Sequence, residues 1–101
     1  MDRTEQTKPH DIIKTIVTGV AKIHGIDWRL LFRDYKPGEA VLHEAKAAVT
    51  YLLYKYLSVD AAKELMKVST TDVIRSCEAY QRNTEKYKQI EEEIKAVPGF
   101  R

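Results

Sequence analysis

Hydroxyl and basic side chains are concentrated between residues 67 and 75. This stretch contains the basic residues Lys67 and Arg75 and the three hydroxyl residues Ser69, Thr70 and Thr71. Hydroxyl groups at the start of a helix can contact phosphates or base edges, and the positive end of the helix dipole favours a phosphate oxygen. An arginine one turn further along can contact a guanine or a phosphate. The pattern favours contact with nucleic acid over catalysis.

Asp72 lies in the same stretch and allows two interpretations. It follows Ser69 by three residues, so the two can form a capping box at the start of a helix. If the carboxylate pointed outward instead, it would repel a phosphate. The sequence leaves both interpretations open.

Other residues that could carry out chemistry are scattered. His10, His24 and His43 fall on different predicted elements, without a cysteine or carboxylate at metal-ligand spacing. Cys77, the sole cysteine, is predicted to be buried, with no histidine placed to activate it. The sequence has neither a phosphate-binding glycine loop nor a nucleophile elbow. We therefore expect no enzyme activity, no cofactor and no metal site.

Composition indicates one small domain, and the sole cysteine fits a reducing compartment. The chain has 101 residues, 44% hydrophobic and 32% charged, which is typical of a folded protein rather than a disordered one. No apolar run approaches the ~20 residues needed to cross a bilayer, and the polar start is not a signal peptide. We therefore expect a cytoplasmic protein with no membrane partner, located at the nucleoid if it binds DNA. Because the net charge is only +2, any DNA contact must depend on local placement of charge.

The elements that must position these residues are predicted to be helices, because the apolar residues recur at helical spacing. We expect a compact all-α bundle with a flexible tail at 1–8, a single domain at 9–97 and a tail at 98–101. The first helix should run from Pro9 to about His24 and end at Gly25. Trp28 and Phe32 are expected to plug one end of the core. A long helix should follow a loop at 33–39, with an inward face formed by Val41, Ala45, Ala48, Val49, Leu52, Leu53 and Tyr56.

Residues 59–82 have the pattern of two helices joined by a tight turn. Ala62 and Leu65 can face inward on the first helix, and Ser69 can cap the second. The inward side of the second helix is predicted to contain Val73, Ile74 and Cys77. This layout is that of a helix-turn-helix, whose second helix commonly lies in the DNA major groove.

The last helix is predicted to continue without interruption to about residue 97, because residues 82–97 contain no glycine or proline. A narrow apolar stripe follows it and consists of Tyr80, Tyr87, Ile90, Ile94 and Val97. This stripe could pair with a partner helix or with a second copy of the chain. It could equally pack back onto its own bundle.

Residues 12–82 resemble the C-terminal DNA-binding domain of the bacterial replication initiator DnaA, whose fold is shared with the Trp-repressor group. The resemblance begins with Ile23-His24-Gly25-Ile26 and the amphipathic step Asp27-Trp28-Arg29-Leu30-Leu31-Phe32. It continues through the small and apolar segment 47–54 and the helix start at 58–65. Ala62 and Val73 are one residue further apart than in the commonest helix-turn-helix pattern, as they are in the DnaA domain.

The resemblance implies the fold and a duplex DNA partner, but not the family's DNA sequence. The family's reading segment falls on Val68–Val73, where only the Thr71 hydroxyl and the packing residue Val73 match. Its acidic and imidazole side chains are replaced by Ser69 and Thr70. Its arginine-rich loop falls on residues 33–40, where Arg33 and Lys36 are the positive residues. No ATPase domain precedes this segment, so we do not expect a complete initiator; a phage, a mobile element or a host regulator could each carry such a domain.

Two functional hypotheses follow. In the first, the chain is a small DNA-binding protein whose helix from about Thr70 to Arg82 enters the major groove, while phosphates are held by Arg33, Lys36, Lys46 and Lys67. In the second, it is a protein-interaction or dimerisation module that keeps the fold without binding DNA and uses the stripe on its last helix. The near-neutral charge favours the second hypothesis.

Overall fold

The computed structural model describes residues 9–32, 40–82 and 84–96. Within these ranges the backbone forms helices and no strand. In chain order these are α1 (Pro9–His24), a 3-10 helix (Trp28–Phe32), α2 (Ala40–Tyr56), α3 (Val59–Met66), α4 (Thr70–Gln81) and α5 (Thr84–Lys95). The predicted all-α multi-helix bundle is confirmed.

Helix α2 is the centre of the bundle and packs against α1, the 3-10 helix, α3 and α4. Ala45 and Ala48 are buried on it, and their small side chains let the neighbouring helices approach closely. The predicted inward face holds except at Val41, which is 54% exposed. Successive residues of a helix are rotated by about 100°. In the first turn of α2 this rotation brings Leu42, rather than Val41, against the core.

The 3-10 helix places a different residue in the core from the one expected. Leu31 is buried, whereas Trp28 is 48% exposed and Phe32 is 43% exposed. The prediction that these two aromatic rings plug the core is therefore wrong. Because Leu31 already fills the core position, the rings instead contact each other edge to face outside it, with centroids 6.2 Å apart.

A three-residue turn joins α3 to α4. Ser58 caps α3, its Oγ accepting a hydrogen bond from the Ala61 N–H at 3.0 Å. Lys67 ends α3 in a left-handed conformation, with φ 55° and ψ 51°. The N–H groups of Lys67 and Val68 both donate to the Lys63 carbonyl, which closes the helix. Ser69 then begins α4.

The inward side of α4 differs from the prediction at Ile74 and, in part, at Cys77. Val73 is buried as expected, but Ile74 is exposed and Cys77 is only half-buried. The buried residues of α4 are Val73, Ser76 and Tyr80, which repeat at helical spacing. Ile74 is rotated away from this line, so it faces outward.

The chain folds back between α4 and α5, so the prediction of one continuous helix is wrong. Tyr87 on α5 lies beside His24 near the end of α1, and Ile90 lies beside Gly19 one turn earlier, so α5 runs antiparallel to α1. Burying a large apolar side chain stabilises by about 1.5–3 kcal/mol. The gain from several such side chains outweighs the helical hydrogen bonds lost at the break.

This fold-back decides between the two interpretations of the apolar stripe. Four of its members are buried within their own bundle, namely Tyr80, Tyr87, Ile90 and Ile94. Their assignment as partner-binding residues is therefore wrong. Val97 lies outside the described residues.

Candidate nucleic-acid interface

The outer face of α4 presents polar, basic and apolar side chains along one line. Thr71, Ile74, Arg75 and Glu78 are all exposed and follow the helical spacing of three and four residues. Thr70 is exposed beside them in the first turn. The predicted contact residues Thr70, Thr71 and Arg75 therefore share one accessible face.

Ser69 and Asp72 form the cap that positions α4. Ser69 Oγ accepts a hydrogen bond from the Asp72 N–H at 3.2 Å, while Asp72 Oδ2 accepts from the Ser69 N–H at 3.1 Å and from its hydroxyl at 3.0 Å. The backbone hydrogen bond from Ser69, followed by the hydroxyl bond, lowers the pKa of Asp72. The capping-box interpretation of Asp72 is confirmed. The Ser69 hydroxyl is engaged in this cap, so the exposed hydroxyls of the first turn are those of Thr70 and Thr71.

A groove of about 450 Å³ separates α2 from α4 and brings together basic residues from both helices. Its lining consists of His43, Lys46, Ala47, Val68, Asp72, Arg75, Ser76 and Ala79. The Ser76 hydroxyl donates to the Asp72 carbonyl at 2.8 Å and is satisfied within the helix. Among the described lining residues, Lys46 and Arg75 are the cations and Asp72 is the acid.

The remaining predicted basic residues differ in where they lie. Lys67 is exposed in the turn immediately before α4. Arg33 and Lys36 lie outside the described residues. The structure therefore groups Lys46, Lys67 and Arg75 around the start of α4.

Ile74 and His43 belong to this surface but were not predicted. Ile74 was assigned to the core because it is apolar, although the helical spacing of Val73, Ser76 and Tyr80 would have placed it outside. His43 precedes Lys46 by three residues on the same helix face. That spacing is the only sequence signal that could have linked it to the site.

A cluster around Glu91 ties α2, α4 and α5 together away from this surface. The Glu91 carboxylate accepts hydrogen bonds from Lys55 Nζ at 2.7 Å, from the Tyr80 hydroxyl at 2.6 Å and from the Tyr56 hydroxyl. Burial raises the pKa of Glu91, but these hydrogen bonds outweigh it and the pKa lies below its usual range. Burial and the bond to Glu91 raise the pKa of Tyr56 to about 12. The carboxylate therefore stays charged and holds the end of α4 against α5.

A second cluster ties the end of α1 to α2 and α5. The Tyr87 hydroxyl donates to Glu44 Oε2 at 3.2 Å and lies 2.8 Å from His24 Nε2. A His24 tautomer with its proton on Nε2 satisfies both hydroxyl contacts. Lys86 Nζ also reaches Glu44 Oε2 at 2.7 Å. Burial lowers the pKa of His24 against the attraction of Glu44, which favours the neutral ring.

Neither cluster gathers the ligands of a metal ion. In the described ranges, no three histidine, cysteine, aspartate or glutamate side chains are grouped as a metal would require. Burial raises the pKa of the Cys77 thiol. None of the described helices is long and apolar enough to span a membrane.

No protein-family model, curated protein or solved structure matches the chain. The resemblance to the initiator domain therefore stays a prediction from the sequence.

Proposed function

We propose that this chain is a small DNA-binding protein that uses α3 and α4 as a helix-turn-helix, with α4 in the major groove of duplex DNA. The observation that carries the proposal is the outer face of α4. Exposed Thr70 and Thr71 lie at its start, Arg75 lies one turn further along, and Lys67 and Lys46 flank it. A DNA-binding role would place the protein in the cytoplasm at the nucleoid.

The chemistry of this face suits a phosphate backbone at one end and base edges along its length. The capping box uses the N–H groups of Ser69 and Asp72. The N–H groups of Thr70 and Thr71 lack carbonyl partners inside the helix, as is usual in a first turn, and can donate to a phosphate oxygen. Lys67 lies in the turn just before that position, and Lys46 lines the groove beside Arg75. The major groove is about 12 Å wide and admits one helix, so Arg75 would reach a guanine edge or a phosphate. These positive charges are confined to one surface, so the proposal is compatible with a net charge of only +2.

The resemblance to the initiator domain supports this proposal through packing rather than through sequence readout. Ala62 and Val73, the two residues with the longer spacing, are both buried where α3 and α4 face the core. The initiator's DNA sequence is not carried over.

Fluorescence anisotropy with random duplexes at about 50 and 200 mM salt tests the proposal, because phosphate contacts make binding strongly salt-sensitive. Arg75→Ala should weaken binding to a duplex selected from this random pool by about 5- to 150-fold, the range for one good base contact. Lys22→Ala is the matched control, since Lys22 is an exposed base on α1. Absence of salt-sensitive binding at the lower salt, or equal effects of the two substitutions, would contradict the proposal.

A second function is favoured by a different surface. Trp28 and Phe32 line an apolar groove of about 570 Å³ together with Ile13 and Val17. Exposed aromatic residues are enriched at protein interfaces. The alternative is therefore a protein-interaction or dimerisation module that uses this groove instead of α5.

Light scattering tests this alternative. A dimer of the full chain that becomes a monomer in Trp28→Ala, together with no binding of duplex DNA, would favour it over the DNA-binding function. The control Tyr54→Ala removes an exposed aromatic ring from α2 and should leave the molar mass unchanged.

A further inference from the structure

We infer that Ile74 contacts the methyl group of a thymine in the major groove and so helps to select the DNA sequence. The inference rests on the proposed DNA-binding function and names the chemistry that the same helix face would recognise. It assigns a role to a side chain that sequence patterning places in the core.

The position of Ile74 distinguishes it from an ordinary exposed apolar residue. Single exposed apolar side chains are common and need no explanation. Ile74, however, is 56% exposed at the middle of the outer face of α4, between Thr71 and Glu78. A helix rises by about 1.5 Å per residue, so Ile74 lies about 4.5 Å beyond Thr71 along the axis.

The chemistry of the base edges identifies the group that Ile74 fits. In the major groove adenine, guanine and cytosine present hydrogen-bonding atoms, whereas thymine adds an apolar methyl group. Isoleucine has no donor or acceptor, so it would bury the polar edges of the other bases without replacing their hydrogen bonds to water. Against a thymine methyl, apolar surface is buried on both sides.

Neighbouring charges favour DNA over an apolar protein surface as the occupant. Arg75 adjoins Ile74 and Lys67 lies in the turn before the helix, so two basic residues lie on the N-terminal half of this surface, and the acidic Glu78 lies beyond them. Glu78 lies four residues after Ile74 on the same line, and its carboxylate would repel a phosphate. We therefore expect Ile74 and Glu78 to face base edges, while the backbone of the DNA lies towards Lys67 and the first turn of α4.

Removing one methyl group from DNA tests the inference. The full chain first selects a preferred duplex from a random library, and each thymine is then replaced singly by deoxyuridine, which lacks only the methyl group. At one thymine the replacement should weaken binding of the unmodified protein about fourfold, the effect of one buried carbon. The same replacement should leave the affinity of Ile74→Ala unchanged. Ile23→Ala, which truncates an exposed isoleucine on α1, should respond as the unmodified protein does.

The outcomes separate the inference from the proposed function. If the protein binds a preferred duplex but no thymine is coupled to Ile74, or if it binds all duplexes equally, the inference is overturned and DNA binding stands. If no salt-sensitive DNA binding is found, both are overturned. A change in molar mass caused by Ile74→Ala, with DNA affinity retained, would instead place Ile74 between two copies of the chain. Alanine has a higher helix propensity than isoleucine, so α4 should stay folded, as circular dichroism can check.

Discussion

At Lys67, stability and the proposed function favour different residues. Its left-handed backbone, with φ 55°, brings Cβ close to the following carbonyl, which costs an L-residue about 1–2 kcal/mol. Glycine has no such cost, yet it lacks the exposed cation that the proposal places near a phosphate. The substitution Lys67→Gly should therefore raise stability while it weakens DNA binding.

The size of both effects follows from the structure. Glycine relieves the backbone cost but loses about 0.5–1 kcal/mol more conformational entropy on folding than alanine. The net gain should be about 0.5–1 kcal/mol in the free energy of unfolding, or a rise in Tm of about 2–8 °C for a domain of this size. If Lys67 neutralises one phosphate, its loss should reduce the slope of log affinity against log salt by about 0.9.

Thermal unfolding followed by circular dichroism and a salt titration of DNA affinity measure the two effects separately. Lys67→Ala is the matched control, because it removes the charge but keeps Cβ; it should lose the same salt slope without a comparable rise in Tm. A lower Tm in Lys67→Gly would refute the backbone argument. An unchanged salt slope in both variants would refute the phosphate contact.

Three further predictions concern the packing that supports α4. Glu91→Ala should lower the free energy of unfolding by about 2–4 kcal/mol, because the Tyr80 hydroxyl is left buried without an acceptor; a loss below about 1 kcal/mol in urea unfolding would contradict this. Gly19→Ala should gain about 1 kcal/mol of helix propensity, but its Cβ would lie 3.0 Å from Ile90 Cγ1 and overpacking costs about 1–3 kcal/mol, so the net loss should be at most about 2 kcal/mol and adding Ile90→Val should reduce it. Because the pKa of His24 is lowered in the folded state, the unfolded state binds more protons below about pH 6.5. Stability should therefore decrease as the pH is lowered through this range. His24→Gln should flatten that dependence between pH 7.5 and 5, and an unchanged slope would count against His24 as the group responsible.

Features that depend on a few neighbouring residues can be predicted from this sequence. Gly25 ends α1 in a left-handed conformation, and Ser69 and Asp72 cap α4, because each arrangement needs only local hydrogen bonds and backbone geometry. The cluster at 67–75 is predictable for the same reason: one turn and one helix start bring its members together.

Features that depend on tertiary packing were missed. Residues 82–97 contain no glycine or proline, so their composition predicts one continuous helix. The reversal is stabilised by distant contacts, including those of Glu91 with Lys55 and Tyr80. The contribution of Lys46 to the groove likewise depends on the packing of α2 against α4.

Apolar character also failed as a guide to burial where the core was already full. Trp28 and Ile74 are more exposed than expected because Leu31 and Val73 occupy the core positions beside them. Only the side chains on the inward side of a helix can be buried, and hydrophobicity alone does not decide which of two neighbouring residues lies on that side. In α4, the expectation that Ile74 is buried left the apolar centre of the outer face unpredicted.

The fold-back of α5 changes which experiment best separates the two functional hypotheses. It buries the stripe that the interaction hypothesis first relied on and leaves the groove at Trp28 and Phe32 as its surface. That groove is apolar, so association through it should change little or strengthen as salt is raised. Contact through Lys67 and Arg75 should weaken steeply over the same range. The sign of the salt dependence of binding therefore tells which of the two surfaces is used, before any partner or DNA sequence is identified.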